Sequence, residues 1–144
     1  MFRFNLKRII PALGLGMMLS IFSTALLAQE QNLEIHYINV EQGQSTLIIG
    51  PDGTTILYDG GNEFKGTNEV VPYLQGIGIY TSQALDYIIA SHRDTDHYMG
   101  LTEVINYGYD ALHVYDNGSD KYNPYVQDFL DAAATTTAGS VVGI

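Results

Sequence analysis

Apolar and polar positions divide the chain into one long apolar run and a series of short blocks. The run extends from Ile9 to Ala28, broken only by Pro11, Gly14, Gly16 and small polar side chains. Beyond it, Leu33 to Val40 (LEIHYINV) alternates, with Leu33, Ile35 and Tyr37 on one face and a half-exposed His36 on the other. Period-two alternation predicts a strand. Ser45 to Ile49 and Thr54 to Tyr58 predict two more, separated by the turn Gly50-Pro51-Asp52-Gly53, so the three form an antiparallel meander. A helix comes next, with Asn68 as its cap, Pro72 in its first turns, Val70, Val71 and Leu74 inward and Gly76 at its end. Asp86 to Ser91 (DYIIAS) has the unbroken apolarity of a buried strand. Leu101 to Tyr107 predicts a helix stopped by Gly108, and Ala111 to Tyr115 another strand. Asn123-Pro124 opens a last helix with apolar positions at Tyr125, Val126, Phe129 and Leu130. Val141-Val142 starts a further strand. A meander succeeded by alternating strands and helices is an α+β arrangement, a mixed β-sheet with packed helices.

The apolar run changes the domain picture. Arg3, Lys7 and Arg8 precede it, and small residues at Ser23, Ala25 and Ala28 suit a signal-peptidase site. Residues 1–28 therefore read as a signal peptide, with 29–144 as one domain exported to the periplasm or beyond the cell. The alternative is an N-terminal membrane anchor, because roughly 20 apolar residues span a bilayer. Cleavage leaves no stable membrane association.

Charge narrows the partners. All 16 acidic residues come after Ala28, against only Lys65, Arg93 and Lys121, which gives that part a net charge of −13. A field of that sign repels phosphate backbones and disfavours nucleic acid. The chain has no Cys, which excludes disulfides, a thiolate zinc site, a Cys nucleophile and lipoprotein acylation. Any metal must take imidazole and carboxylate ligands.

Those ligands cluster in one place. Ser91 to Gly100 reads SHRDTDHYMG, with His92, Asp94, Asp96 and His97 within six residues at the end of a predicted strand. Imidazoles and carboxylates suit Zn²⁺ or Mn²⁺. In an extended loop alternate residues point the same way, which groups His92, Asp94 and Asp96 and sets His97 apart. Such a cluster can serve two metals that share a hydroxide.

Ser91-His92-Arg93-Asp94-Thr95-Asp96-His97 resembles the metal-binding signature of the metallo-β-lactamase superfamily, H-x-H-x-D-H. It is most similar to the S-H-x-D-x-D-H form in the DNA-uptake channel proteins of competence. LEIHYINVEQGQSTLIIGPDGTTILYDGGN is similar to that branch's opening meander. VVPYLQGIGIYTSQALDYIIASH is similar to its helix and strand before the signature, and VYDNG with YVQDFLDAA to its strand and helix after the signature. The resemblance implies the N-terminal half of an αββα sandwich. It implies two divalent metal ions, zinc by first choice and manganese by second. His92 and Asp94 would bind the first, Asp94 standing where most members have a second His. Asp96 and His97 would bind the second, with Asp96 also orienting the attacking water as the catalytic residue. Asp59, in LYDGG, would brace the metal loop.

Two departures qualify the resemblance. Gln44 stands where the branch has an Asp, in the turn Val40-Glu41-Gln42-Gly43-Gln44. The family also completes its metal shells with a His, an Asp and a final His from later segments, and His113 does not match that pattern. The expectation is therefore the front part of a longer hydrolase domain, inactive by itself, acting when complete on a phosphodiester or other small-molecule ester or amide. The rival expectation is a non-catalytic secreted or envelope protein whose metal loop is vestigial and which acts through a protein partner.

Overall fold

The computed structural model describes residues 32–144, so the expected signal peptide over 1–28 lies outside the described residues. β1 (Glu34–Tyr37), β2 (Thr46–Ile49) and β3 (Thr55–Tyr58) pair antiparallel in sequence order, as their alternation predicts. The turn between β2 and β3 is closed by Gly53 N donating to Gly50 O at 2.9 Å. Asp52 Oδ1 accepts from Thr54 N at 3.0 Å, the local bond that makes Asp a turn residue.

β4 (Leu85–Ile89), β5 (Ala111–Asp116) and β6 (Val141–Gly143) then add in parallel, giving one six-stranded mixed sheet in the order β1-β2-β3-β4-β5-β6. The connections carry a π-helical turn (Gly66–Val70) running into α1 (Val71–Gly76), then α2 (Thr95–Tyr107) and α3 (Pro124–Ala134). Right-handed crossovers that advance one strand at a time in one direction place every helix on the same face. The row His36, Leu47, Leu57, Ile88, Val114, Val141 runs across the sheet beneath them, and Leu47, Leu57 and Ile88 are fully buried.

The other face carries no helix among the described residues. One of its rows is Ile35, Ile48, Ile56, Tyr87, His113; the next is Tyr37, Thr46, Tyr58, Ile89, Tyr115, Val142. Neither row contains Asp, Glu, Lys or Arg. Leu33, Ile35 and Tyr37 all stand exposed, so the apolar side of β1 faces away from the helices. His36 turns toward them instead, its Nδ1 2.8 Å from the Tyr73 hydroxyl.

The helices differ from the sequence expectation in three places, two of them boundaries and one a buried face. The turn before α1 begins at Gly66, which leaves Asn68 inside it rather than at the cap. In α3, Asn123 caps as expected by accepting from Tyr125 N and Val126 N, but the buried stripe is Val126, Phe129, Ala132 and Ala133, with Tyr125 exposed. The largest shift is in α2, which starts at Thr95 rather than Leu101 and so takes Asp96 and His97 into its first turn. Among the described residues, no helix is long and apolar enough to cross a membrane.

Candidate metal centre

The site begins at the C-terminal ends of β3 and β4, where side chains leaving parallel strands converge. Asp59 directly follows β3, with a left-handed backbone (φ 59) and no exposed surface. Its Oδ1 accepts from Ser91 N at 2.8 Å, and its Oδ2 accepts from the Ser91 hydroxyl at 2.7 Å and from His97 Nδ1 at 2.7 Å. A buried carboxylate is tolerable only when its lone pairs are filled this way. Ser91 Oγ, having donated to Asp59, accepts from His92 Nδ1 at 2.9 Å.

This network fixes both imidazoles. His92 and His97 each spend Nδ1–H on the Asp59–Ser91 pair, so each Nε2 keeps its lone pair. His92 Nε2 lies 3.4 Å from Asp94 Oδ2, and His97 Nε2 lies 3.9 Å from Asp96 Oδ1. Two donors at opposite corners of a zinc tetrahedron stand about 3.3 Å apart. The first pair has that spacing and the second is slightly wider. The rings themselves sit side by side, with centroids 3.9 Å apart. The arrangement excludes a serine-nucleophile triad. Ser91 and Asp59 both meet His97 at Nδ1, whereas a relay needs them on opposite nitrogens.

The expected grouping of His92, Asp94 and Asp96 on one side of an extended loop does not form. Asp94 is extended (φ −97, ψ 139), while Asp96 and His97 are helical, so the four residues fall into the pairs His92/Asp94 and Asp96/His97. Among the described residues, no three His, Asp or Glu side chains close around a single point. Each pair can offer two ligands to one ion, and a tetrahedral shell needs further ones. His113 takes no part: it lies on the helix-free sheet face, stacked on Tyr87 at 5.0 Å.

Asp94 stands at the N-cap of α2 but makes no side-chain cap bond, although an Asp there ordinarily accepts from the first turn. Its Oδ1 is held by Lys121 instead. The hydrogen bond from that ammonium keeps the Asp94 carboxyl below its usual range, with smaller help from the Lys121 charge. Asp96, in the first turn, stands at the end of the helix dipole that favours a negative charge.

Glycines let the backbone close around this cluster. A Cβ on Gly100 would lie 1.8 Å from Gly60 O, and one on Gly43 would lie 1.8 Å from Asp96 O. Gly60 N donates to His97 O at 2.7 Å and Gly100 N to Gly61 O at 3.0 Å, which seats α2 directly on the end of β3. Gln44, the position of the first departure, supplies its carbonyl to Gly61 N at 2.9 Å and directs its side chain toward Thr46.

Sequence reasoning missed the roles of Ser91 and Lys121. Ser91 was readable as part of the signature, yet the bond to Asp59 is tertiary. Lys121 lies 27 residues beyond Asp94, and no local pattern joins them. No model of a known protein family matches the chain, and no curated protein matches it.

Proposed function

We propose that this chain belongs to an exported metal-dependent hydrolase of the metallo-β-lactamase type and contributes four ligands to a two-metal centre. The observation that carries the reading is the tautomer lock: both Nδ1 atoms are consumed by the Asp59–Ser91 pair, and both Nε2 atoms are left basic beside a carboxylate. Metal-ligating histidines ordinarily carry such a carboxylate behind them, which orients the ring and raises its basicity. Zinc suits the donors best and manganese is the second choice. When bound, two such ions lower the pKa of a shared water toward neutrality and so supply a nucleophile for a phosphodiester, ester or amide.

The chain's own residues hold that geometry. Asp59 and Ser91 keep the two rings in register. His92 and Asp94 would hold one ion, and Asp96 and His97 the other. Asp96 would also accept a hydrogen bond from the attacking water. Uncharged rows on the helix-free sheet face favour a second reading, a non-catalytic protein acting through a partner chain.

Long-range ¹H–¹⁵N spectra of the histidine rings separate the two. Without metal, His92 and His97 should both show the Nδ1–H pattern. On zinc addition their Nε2 signals should shift while those of His36 and His113 stay. Zinc-insensitive signals of His92 and His97 at millimolar metal would retire the hydrolase reading in favour of the second.

A further inference from the structure

The loop between β5 and α3 is shaped by its own side chains. Three of them accept from a main-chain N–H two residues on: Asp116 Oδ1 from Gly118 N at 2.8 Å, Asn117 Oδ1 from Ser119 N at 3.2 Å, and Ser119 Oγ from Lys121 N at 3.1 Å. Asp, Asn and Ser favour such local bonds, and each one turns the chain. The start of the loop is anchored in the interior, where buried Asp116 takes Arg93 Nε and Nη2 on Oδ2 at 2.8 and 2.7 Å. Its end is anchored on α2 through Asn123, which accepts from the Tyr98 hydroxyl at 2.7 Å. Between the anchors Asn117, Gly118, Asp120 and Lys121 are exposed, and Lys121 reaches from there to Asp94.

Asn117 is the one asparagine of the chain that precedes a glycine. An asparagine amide is open to attack by the main-chain nitrogen of the next residue, in a five-membered closure that a Cβ on that residue crowds. The other asparagines precede residues with side chains, and Asn123 precedes Pro124, which has no N–H. The bond from Ser119 N folds the Asn117 side chain back over the peptide that joins it to Gly118, which carries Cγ toward Gly118 N. Gly118 holds φ 64, a left-handed conformation that glycine adopts without strain. The proton that must leave Gly118 N already points at a carboxylate, Asp116 Oδ1.

We propose that Asn117 converts itself to isoaspartate and that the conversion withdraws Lys121 from Asp94. Gly118 N loses its proton and bonds to Asn117 Cγ, while the Cγ–Nδ2 bond breaks and Nδ2 leaves as ammonia with that proton. Water then opens the five-membered imide. Breaking the bond from N to Cγ gives ordinary aspartate. Breaking the bond from N to the main-chain carbonyl carbon gives isoaspartate, whose main chain runs through Cβ and Cγ and is one carbon longer. The oxygen that accepted from Ser119 N then belongs to the main chain, and the turn leading to Lys121 is lost. The Asp94 pair is exposed and too weak to hold the lysine without that turn. The reaction needs only water, so it stands apart from the metal reading of the site.

The test keeps the full chain in warm, mildly alkaline buffer and maps isoaspartate by tandem mass spectrometry, beside a free peptide of residues 115–122. Isoaspartate should accumulate at position 117 while Asn39, Asn62, Asn68, Asn106 and Asn123 keep their amides. Asn117→Gln and Gly118→Ala should each abolish the signal, the first by demanding a larger ring and the second by crowding the attack. The nuclear Overhauser contact between Lys121 Hε and Asp94 Hβ should be present in fresh protein and lost in the isoaspartate form. Asn117→Asp, which adds the charge without lengthening the chain, should keep it. An intact Asn117 in the folded chain after the peptide has converted overturns the assignment, as does isoaspartate forming in Gly118→Ala at the wild-type rate. A Lys121 contact that survives in the isoaspartate form overturns the coupling to Asp94.

Discussion

The two halves of the His92–His97 segment are held in opposite ways. Asp96 and His97 lie on a helix seated backbone-to-backbone on β3, and the His97 ring, 18% exposed, leans on a carboxylate with no exposure at all. His92 and Asp94 lie on extended chain, and Asp94, 45% exposed, is held from outside by a lysine that is itself more than half in water. Burial makes the first support strong, since an unfilled lone pair there costs about 1–3 kcal/mol. Exposure makes the second weak, since water and salt screen such pairs. The protein thus anchors His97, and through Ser91 the His92 ring, on its core and leaves the Asp94 carboxylate to a pair at the surface.

Removing Asp59 breaks the contrast most severely. Asp59→Ala strands Ser91 N, the Ser91 hydroxyl and His97 Nδ1 in the interior, and should cost about 3 kcal/mol in urea unfolding. Asp59→Asn keeps the volume but can place an amide N–H against Nδ1. Its His97 should then shift toward the Nε2–H tautomer, which the ring ¹⁵N signals report. A mutant that unfolds like wild type and keeps the Nδ1–H pattern would show that the braced half does not depend on its brace.

Gly100→Ala attacks the same half through the backbone. The added methyl falls 1.8 Å from Gly60 O, so β3 and α2 must part, at about 2 kcal/mol. The bond from Gly60 N to His97 O should open with them, read as faster hydrogen exchange at Gly60. Unchanged exchange at Gly60 would mean that the close approach is not what seats the helix.

This half is also where the sequence was least legible. Strands announce themselves by alternation, and all six appear close to where LEIHYINV, STLII, TTILY, DYIIAS, ALHVY and Val141-Val142 place them. Alternation separates two faces without saying which is covered, and β1 has apolar residues on the exposed one. The start of α2 was hidden because Thr95, Asp96 and His97 are polar, and helical periodicity begins only at Met99 and Leu101. The backbone bond from Gly60 N to His97 O and the close approach of Gly60 to Gly100 hold that first turn on β3, and no local rule encodes them. The cluster of His and Asp side chains was visible as composition. Its division into two pairs was not, because it depends on where the helix begins.

Lys121→Met tests the exposed half and should have the smallest effect of all. The pair is surface-exposed, so the urea midpoint at neutral pH should scarcely move. What should move is the Asp94 titration. Lys121 holds that carboxyl below the ordinary value of 3.8, so whatever stability the pair adds is present above that pH and is lost as the pH falls through the lower folded value. In Lys121→Met the Asp94 carboxyl ¹³C signal should titrate nearer the ordinary value, and the difference in acid stability between the two proteins should vanish once both carboxyls are protonated. If Asp94 titrates identically in both proteins, the ammonium is not resting on it in solution. The exposed half would then be held by His92 alone, and the difference between the two halves would be larger still.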